Sequence, residues 1–286
     1  MSSDKEAAAF SPPDPVVCEY CGQLRYHRGT RLQDRILWIP VPQPCSCPEA
    51  VAAKEKAQAE AKAKELAERK AAEEQRIRNR IKKLIGESGM RERFLHRTFE
   101  TFKTPDSKTA RALRVAITYA ENFDNKLPGP DNIERLDRNG LFITGGIGTG
   151  KTHLAAAIAN NLMSKGKPVI CMTMIDLLAR IKATYDSGQI SEGEVLKLYE
   201  TVPLLIIDDI GKEPATEWGV SKIYAIINAR YEAYMPTIIT TNYDDQTLVQ
   251  RLTPPKGDSM TAEATVDRLR EMCAGLIMDG PSWRSR

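Results

Sequence analysis

No run of about 18 consecutive apolar residues occurs in this 286-residue chain, so the sequence offers no membrane-spanning helix. Neither sign of charge is in excess: 41 Lys and Arg stand against 38 Asp and Glu. Composition is therefore silent on nucleic acid as a partner, and only local clusters can speak to it. The first residues, Met1-Ser-Ser-Asp-Lys-Glu, lack the apolar core of an export signal, which predicts a cytoplasmic protein. The 49–85 stretch lacks both Gly and Pro, the strongest helix breakers, which favours one long helix there. What is present, 42% apolar residues, suffices for one large domain and something smaller beside it.

Four organisational segments follow from the sequence. Residues 1–15 have no periodicity and read as a disordered tail. Residues 16–48 open with Cys18-Glu-Tyr-Cys21-Gly and close with Cys45-Ser-Cys47. Two thiols separated by two residues and followed by Gly form a knuckle that aims both sulfurs at one ion, and a second pair completes a tetrahedron. So short a segment buries too little apolar surface to fold unaided, and a Zn²⁺ ion would supply the missing stabilisation. Cys18, Cys21, Cys45 and Cys47 are the expected ligands. The C-x-C pair is tighter than usual, so His27 stays open as a substitute for one thiolate, and four unrelated reduced thiols are the bland alternative. Residues 49–89 are a charged helical linker: Ala, Glu, Lys and Arg of high helix propensity, with larger apolar residues only towards its end. A solvated spacer fits better than a coiled coil, which needs bulkier residues at heptad spacing.

Residues 90–286 alternate apolar strands, at 140–144, 168–174, 203–208, 236–241 and 274–279, with helical patterns at 108–123, 152–165, 176–186, 191–200, 218–234 and 261–272. Continuous apolar runs between helices predict an α/β fold with a five-stranded parallel sheet covered on both faces. Cys171 and Cys273 fall in or beside strands and read as buried small hydrophobes.

The most specific signal is Gly145, Gly146, Ile147, Gly148, Thr149, Gly150, Lys151 and Thr152, which match G-x-x-x-x-G-K-S/T. An apolar strand precedes them and a helix opened by His153-Leu-Ala follows. Glycines let backbone N–H groups wrap a polyphosphate, and the helix N-terminus adds a favourable dipole. Lys151 would reach the β- and γ-phosphates of a nucleoside triphosphate, and the Thr152 hydroxyl would ligate Mg²⁺. Some 60 residues later Leu204-Leu-Ile-Ile-Asp208-Asp209 ends a strand in two carboxylates. Asp208 would hold Mg²⁺ through water, and Asp209 would orient or deprotonate the attacking water. Thr240-Thr-Asn242 ends another strand, and Asn242 could hold that water in line or merely close the strand. Arg268 and Arg284 are candidate cations for phosphoryl transfer.

These segments together resemble the AAA+ ATPases of the bacterial replicative helicase-loader family, the DnaC/DnaI type, with the transposition helper IstB a close relative. The likeness covers 90–286 and rests on Arg93-Phe94, Thr98-Phe99, Gly148-Thr-Gly-Lys-Thr-His-Leu154, Leu205-Ile-Ile-Asp-Asp-Ile-Gly211, Asn228-Ala-Arg230-Tyr231, Thr237-Ile-Ile-Thr-Thr-Asn242, Asp267-Arg-Leu269 and Gly280-Pro-Ser-Trp-Arg284. It implies ATP as the nucleotide, with residues 145–153 as its cradle and Asp208 and Asp209 as the Walker B pair. It further implies Asn242 as sensor 1, Arg268 as the box VII arginine and Arg284 as sensor 2. The partners it implies are a hexameric replicative DNA helicase, single-stranded DNA and further copies of the chain through the AAA+ domain. Family members with a cysteine-rich zinc module grip the helicase with it, and IstB proteins generally lack one, which favours a loader over a transposition helper or an adaptor with little hydrolysis. Some loaders carry a second arginine four residues before the Asp-Arg-Leu arginine, where this chain has Ala264. Arg268, or Arg251 beside the 254–258 insertion, is left to act on a neighbour's site, unless that action is weak. Arg180, Lys182 and Lys197 are the candidates for DNA contacts, or ordinary surface charges. The aspartate at 209, one methylene shorter than the glutamate of most AAA+ proteins, implies slow hydrolysis.

Overall fold

A computed structural model describes residues 11–32, 35–86, 88–129, 138–187, 190–280 and 282–283. The chain divides into two compact units, Met1–Ala72 and Glu73–Arg286. Residues 1–10 of the expected tail lie outside the described residues, and residues 11–15 are exposed and without regular structure.

The first unit contains two small antiparallel ladders. β1 (Val16–Val17) pairs with β2 (Leu24–Arg25), and β3 (His27–Leu32) pairs with β4 (Arg35–Pro42). In the hairpin Gly29 faces Trp38, and a Cβ on Gly29 would lie 3.0 Å from the indole and closer still to Ile36. α1 (Pro48–Ile85) then begins. Its exposed Ala, Glu and Lys face solvent through residue 72, with Lys64 and Glu68 one turn apart as an ion pair.

The boundary between the units falls inside α1 rather than near 89, and its last turns explain why. Ile81 and Leu84 are buried in the core of the second unit, with Ile77 and Ile85 packed against it. Lys167 bridges Glu74 (3.0 Å) and Asp124 (2.8 Å), Arg78 donates to the Gly166 carbonyl, and Arg180 Nε donates to Leu84 O at 2.7 Å.

The single-turn α2 (Glu92–Leu95) and the longer α3 (Ser107–Glu121) lead to β5 (Gly140–Gly145). There follow α4 (Lys151–Ser164), β6 (Val169–Thr173), α5 (Met174–Lys182), α6 (Thr184–Ser187), α7 (Glu192–Thr201), β7 (Leu204–Asp208), α8 (Glu217–Glu232), β8 (Thr237–Thr241), α9 (Asp245–Leu252), α10 (Met260–Met272) and β9 (Cys273–Met278). The five expected strands form one parallel sheet in the order β6-β7-β8-β5-β9. Alternation sorts their apolar runs onto two faces. Leu141, Ile143, Leu204 and Ile206 pack with α3 and α4 residues, while Phe142, Leu205 and Ile207 pack with residues of α5, α7, α8 and α10. Cys171 and Cys273 are buried, and burial pushes both thiols up, Cys273 to about 12.

α9 has no counterpart among the expected helices: it is short, and only Leu248 and Leu252 turn inward. Its start was encoded in Asp244, whose carboxylate accepts from Thr247 N at 2.8 Å. Arg230 on α8 is fully buried, and among the described residues no carboxylate pairs with it. Its guanidinium donates to the carbonyls of Tyr199 (2.7 Å) and Val202 (2.9 Å) and to Thr237 Oγ1 (2.9 Å), and burial lowers its pKa to about 9. Among the described residues, no helix is long and apolar enough to cross a membrane.

Candidate functional site

In the sheet order β5 lies between β8 and β9: from β5 the chain crosses to β6 at one edge, returns through β7 to β8, and then passes over β5 to β9 at the other edge. Ligands of open α/β sheets bind at the carboxyl ends of the strands beside such a switch point. The loop 145–150 leaves β5 there. Gly145 (φ 146) lies so close to the Met278 carbonyl that a Cβ has no room, and at Gly150 (φ 102) a Cβ would meet the Phe102 ring at 3.0 Å. Only glycine keeps this cradle open. Lys151 opens α4, and its Nζ donates to Gly145 O (2.8 Å), Gly146 O (2.7 Å) and Asn242 Oδ1 (2.7 Å).

Beside it stand the two carboxylates. Asp208 is buried, and its Oδ1 accepts from Thr240 Oγ1 at 2.6 Å. Burial raises its pKa and the neighbouring Asp209 adds to that, while Thr240, Thr152 and Lys151 oppose the rise. Asp209 takes a left-handed backbone (φ 59), a conformation Asp tolerates better than most residues. Its N–H donates to Thr240 Oγ1 at 2.9 Å, and its Oδ2 lies 3.1 Å from Lys212 Nζ. One buried hydroxyl on β8 thus orders both acidic residues of β7's end.

Lys151, Thr152, Asp209 and Asn242 open onto a cleft of about 700 Å³, a size that accommodates a nucleotide. The opposite wall was not foreseen as part of the site, although Arg93-Phe94 and Thr98-Phe99 had stood out as motifs. Arg93, Phe94, Phe102 and Lys103 line it. His153 Nε2 lies 3.1 Å from both Thr98 O and Thr101 Oγ1, its ring stands edge-on to Phe102, and burial lowers its pKa, helped by Arg97. Asn160 Nδ2 donates to the carbonyls of Phe94 (2.9 Å) and Arg97 (2.8 Å), tying the same segment to α4.

The arginines divide. Arg284 lies outside the described residues, whereas Trp283 N donates to Gly148 O at 3.0 Å beside the loop. Arg268 does not line the cleft: its Nε donates to Asn228 Oδ1 at 2.6 Å, and its guanidinium lies over Tyr224 and Tyr231. Arg251 is engaged within the chain, donating to the Gly211 (2.9 Å) and Lys212 (2.8 Å) carbonyls. The three candidates for DNA contacts also have partners: Arg180 caps α1, Lys182 lies 4.8 Å from the Trp218 ring centre, and Lys197 pairs with Glu200 at 3.5 Å.

In the first unit the Sγ atoms of Cys18, Cys21, Cys45 and Cys47 lie within 4.8 Å of one another. Separations of 3.9 Å (Cys18 to Cys47) and 3.5 Å (Cys21 to Cys45) fit the roughly 3.8 Å edge of a tetrahedron built on Zn–S bonds of about 2.3 Å. Backbone N–H groups of Cys21 and Tyr20 lower the Cys18 thiol to about 6, while the neighbouring thiols push Cys21 and Cys47 up. These four residues can hold a metal ion. His27 is not among the gathered donors: its Nδ1 lies 2.8 Å from Ile39 O.

A family model described as IstB-like ATP binding protein matches residues 54–286. The replicative helicase loader DnaC of Escherichia coli K12 is 29% identical over 208 residues, 72% of this chain and 77% of that one. Two crystal structures are similar to the fold. That of DnaI has a TM-score of 0.54 at 26% identity, covering 68% of this chain and 93% of its own. That of the DnaC helicase loader has a TM-score of 0.52 at 27% identity, covering 66% and 99%.

Proposed function

Because the chain belongs to the family of IstB-like ATP binding proteins, we propose that it is an ATP-hydrolysing switch that loads a hexameric replicative helicase onto single-stranded DNA. The observation that carries the ATPase part is the gathering of Lys151, Thr152, Asp208, Asp209 and Asn242 at one sheet edge. The loader part is supported by relatives named replicative helicase loader over most of their length.

In this reading the N–H groups of residues 145–153 and the Lys151 ammonium hold the triphosphate of ATP. Thr152 and Asp208 would hold Mg²⁺, which when bound neutralises charge on the phosphate oxygens. Asp209 takes a proton from water as the water oxygen bonds to the γ-phosphorus and the bond to the bridging oxygen of ADP breaks. Asn242, within reach of Lys151, holds the reacting groups in line. Arg268, on α10 and away from its own cleft, is the residue assigned to a neighbouring protomer's site in a self-assembled form, and Arg284 is carried over by resemblance alone. An Arg268→Ala chain mixed with Asp209→Asn tests the assignment: turnover recovered by mixing supports it, and none at any ratio returns Arg268 to a structural role.

Residues 16–48 form a Zn²⁺ module on Cys18, Cys21, Cys45 and Cys47, and we assign the helicase grip to it. Leu37 (57% exposed), Ile39 (45%) and Val41 (71%) on β4 offer apolar surface there. Trp38 on the same strand is only half-exposed and packs over Gly29.

The resemblance to IstB, whose name the matching family carries, supports a second reading, the ATPase helper of a transposition system. Co-purification from the native host separates the two. Helicase in the complex supports the loader, and transposase without helicase overturns it.

A further inference from the structure

Lys212 lines the same cleft as Lys151 and Asn242, and the reaction proposed above does not use it. Its Nζ lies 3.1 Å from Asp209 Oδ2, so the carboxylate assigned to water already has a cation of its own.

The backbone between the two residues is held from several sides. Ile210 N donates to Thr240 O, and Thr241 Oγ1 donates to Ile210 O at 2.9 Å. Gly211 is left-handed (φ 84), and a Cβ there would meet Leu248 of α9 at 2.7 Å. Arg251, also on α9 and 5.4 Å from the centre of the Tyr243 ring, clamps the carbonyls of Gly211 and Lys212. With the backbone pinned, the rotatable part of this loop is the Lys212 side chain, 57% exposed against 27% for Asp209. A bound water that Asp209 must orient competes with that ammonium for the same oxygen.

We propose that Lys212 is a positioning residue that restrains Asp209, holding its carboxylate as a counter-ion and keeping basal ATP turnover of the protein low. The inference rests on the assignment of Asp209 as the group that acts on water. The restraint is mild, because a pair this exposed is screened by solvent.

The test is steady-state ATP turnover by the full chain, with affinity measured separately by titration of a fluorescent ATP analogue. Lys212→Ala is expected to raise kcat about two- to five-fold, with KM and nucleotide affinity within about two-fold of wild type. Lys212→Arg, which keeps a cation in place, should stay near the wild-type rate. Raising salt from about 0.05 M to about 0.5 M should narrow the gap between wild type and Lys212→Ala, because the pair is screened, and a merely structural role would not produce this. A fall in kcat, or an affinity loss of about ten-fold or more, would make Lys212 a phosphate ligand and overturn the restraint. An unchanged kcat would reduce the contact to a solvated surface pair. Asp209→Asn separates the two levels: if it is inactive while Lys212→Ala is unchanged, only the restraint fails. If it turns over at the wild-type rate, the assignment of Asp209 fails and the restraint with it.

Discussion

Among the described residues of the first unit Cys18 alone is buried, whereas the second unit buries both faces of a five-stranded sheet between helices. Each unit presents a candidate binding surface, but order in each comes from a different source. In the second, Leu, Ile and Phe removed from water stabilise the sheet, and the sheet's edge then places Lys151, Asp208 and Asn242. In the first, two short ladders leave Leu37, Ile39 and Val41 facing solvent, and four sulfurs at one point are the main centre of organisation. A packed core tolerates the loss of one ligand group, and the metal-centred module proposed above should not.

The largest effect should come from breaking that centre. Structural zinc contributes on the order of 10–16 kcal/mol to small modules, so chelation or Cys21→Ser should unfold residues 16–48 and leave ATP binding by the second unit intact. Elemental analysis should find one zinc per chain, and proteolysis with nucleotide titration reads the two units separately. Loss of nucleotide binding on chelation would break the comparison.

Next in size is Lys151→Ala, expected to cost roughly 2–5 kcal/mol of nucleotide affinity because a phosphate group is left without its cation. The metal module should be untouched. Asp209→Asn should bind ATP normally and fail to turn it over, and an unchanged rate would move the catalytic role elsewhere.

Arg230→Met sharpens the contrast from the side of the core. The carbonyls of Tyr199 and Val202 would lose their donor, at about 1–3 kcal/mol for each buried group left unsatisfied. The melting temperature of the second unit should fall by roughly 5–15 °C, while zinc content stays the same.

The smallest effect concerns pH. Burial holds the His153 pKa below its ordinary value, so the folded state favours neutral imidazole. Stability from this source is fully present above the ordinary imidazole pKa and is lost as pH falls through the lowered folded value. Amide exchange at Thr98 and Thr101 should therefore quicken on acidification before exchange in β5 does. Uniform protection at both places would show that His153 does not fasten this wall.

The elements most legible in the sequence were those with a local signature. Leu204-Leu-Ile-Ile reads as a doubly covered strand because both of its faces are apolar, and the glycine-rich loop reads as a phosphate cradle because its spacing is contiguous. The cysteine pairs carry their spacing openly. α9 was missed because Leu248 and Leu252 alone do not make a period. The end of α1 was read as solvated because its large apolar residues occupy only the final turns, although those residues are what dock it.

By itself, then, the sequence determined the parallel α/β plan, the phosphate loop with its two carboxylates, and a four-thiol cluster, since each is assembled from pieces that carry a short signature of their own: an apolar run, a glycine spacing, an adjacent Asp pair, a close cysteine pair. Tertiary structure alone decided that Thr240 orders both Asp208 and Asp209, that Arg251 clamps a loop of its own chain, and that the 93–103 segment walls the cleft. Thr240 lies 31 residues from Asp209, and Arg251 lies 40 from Gly211. Contacts over such distances are set by strand order and helix packing, to which local propensity and periodicity are blind.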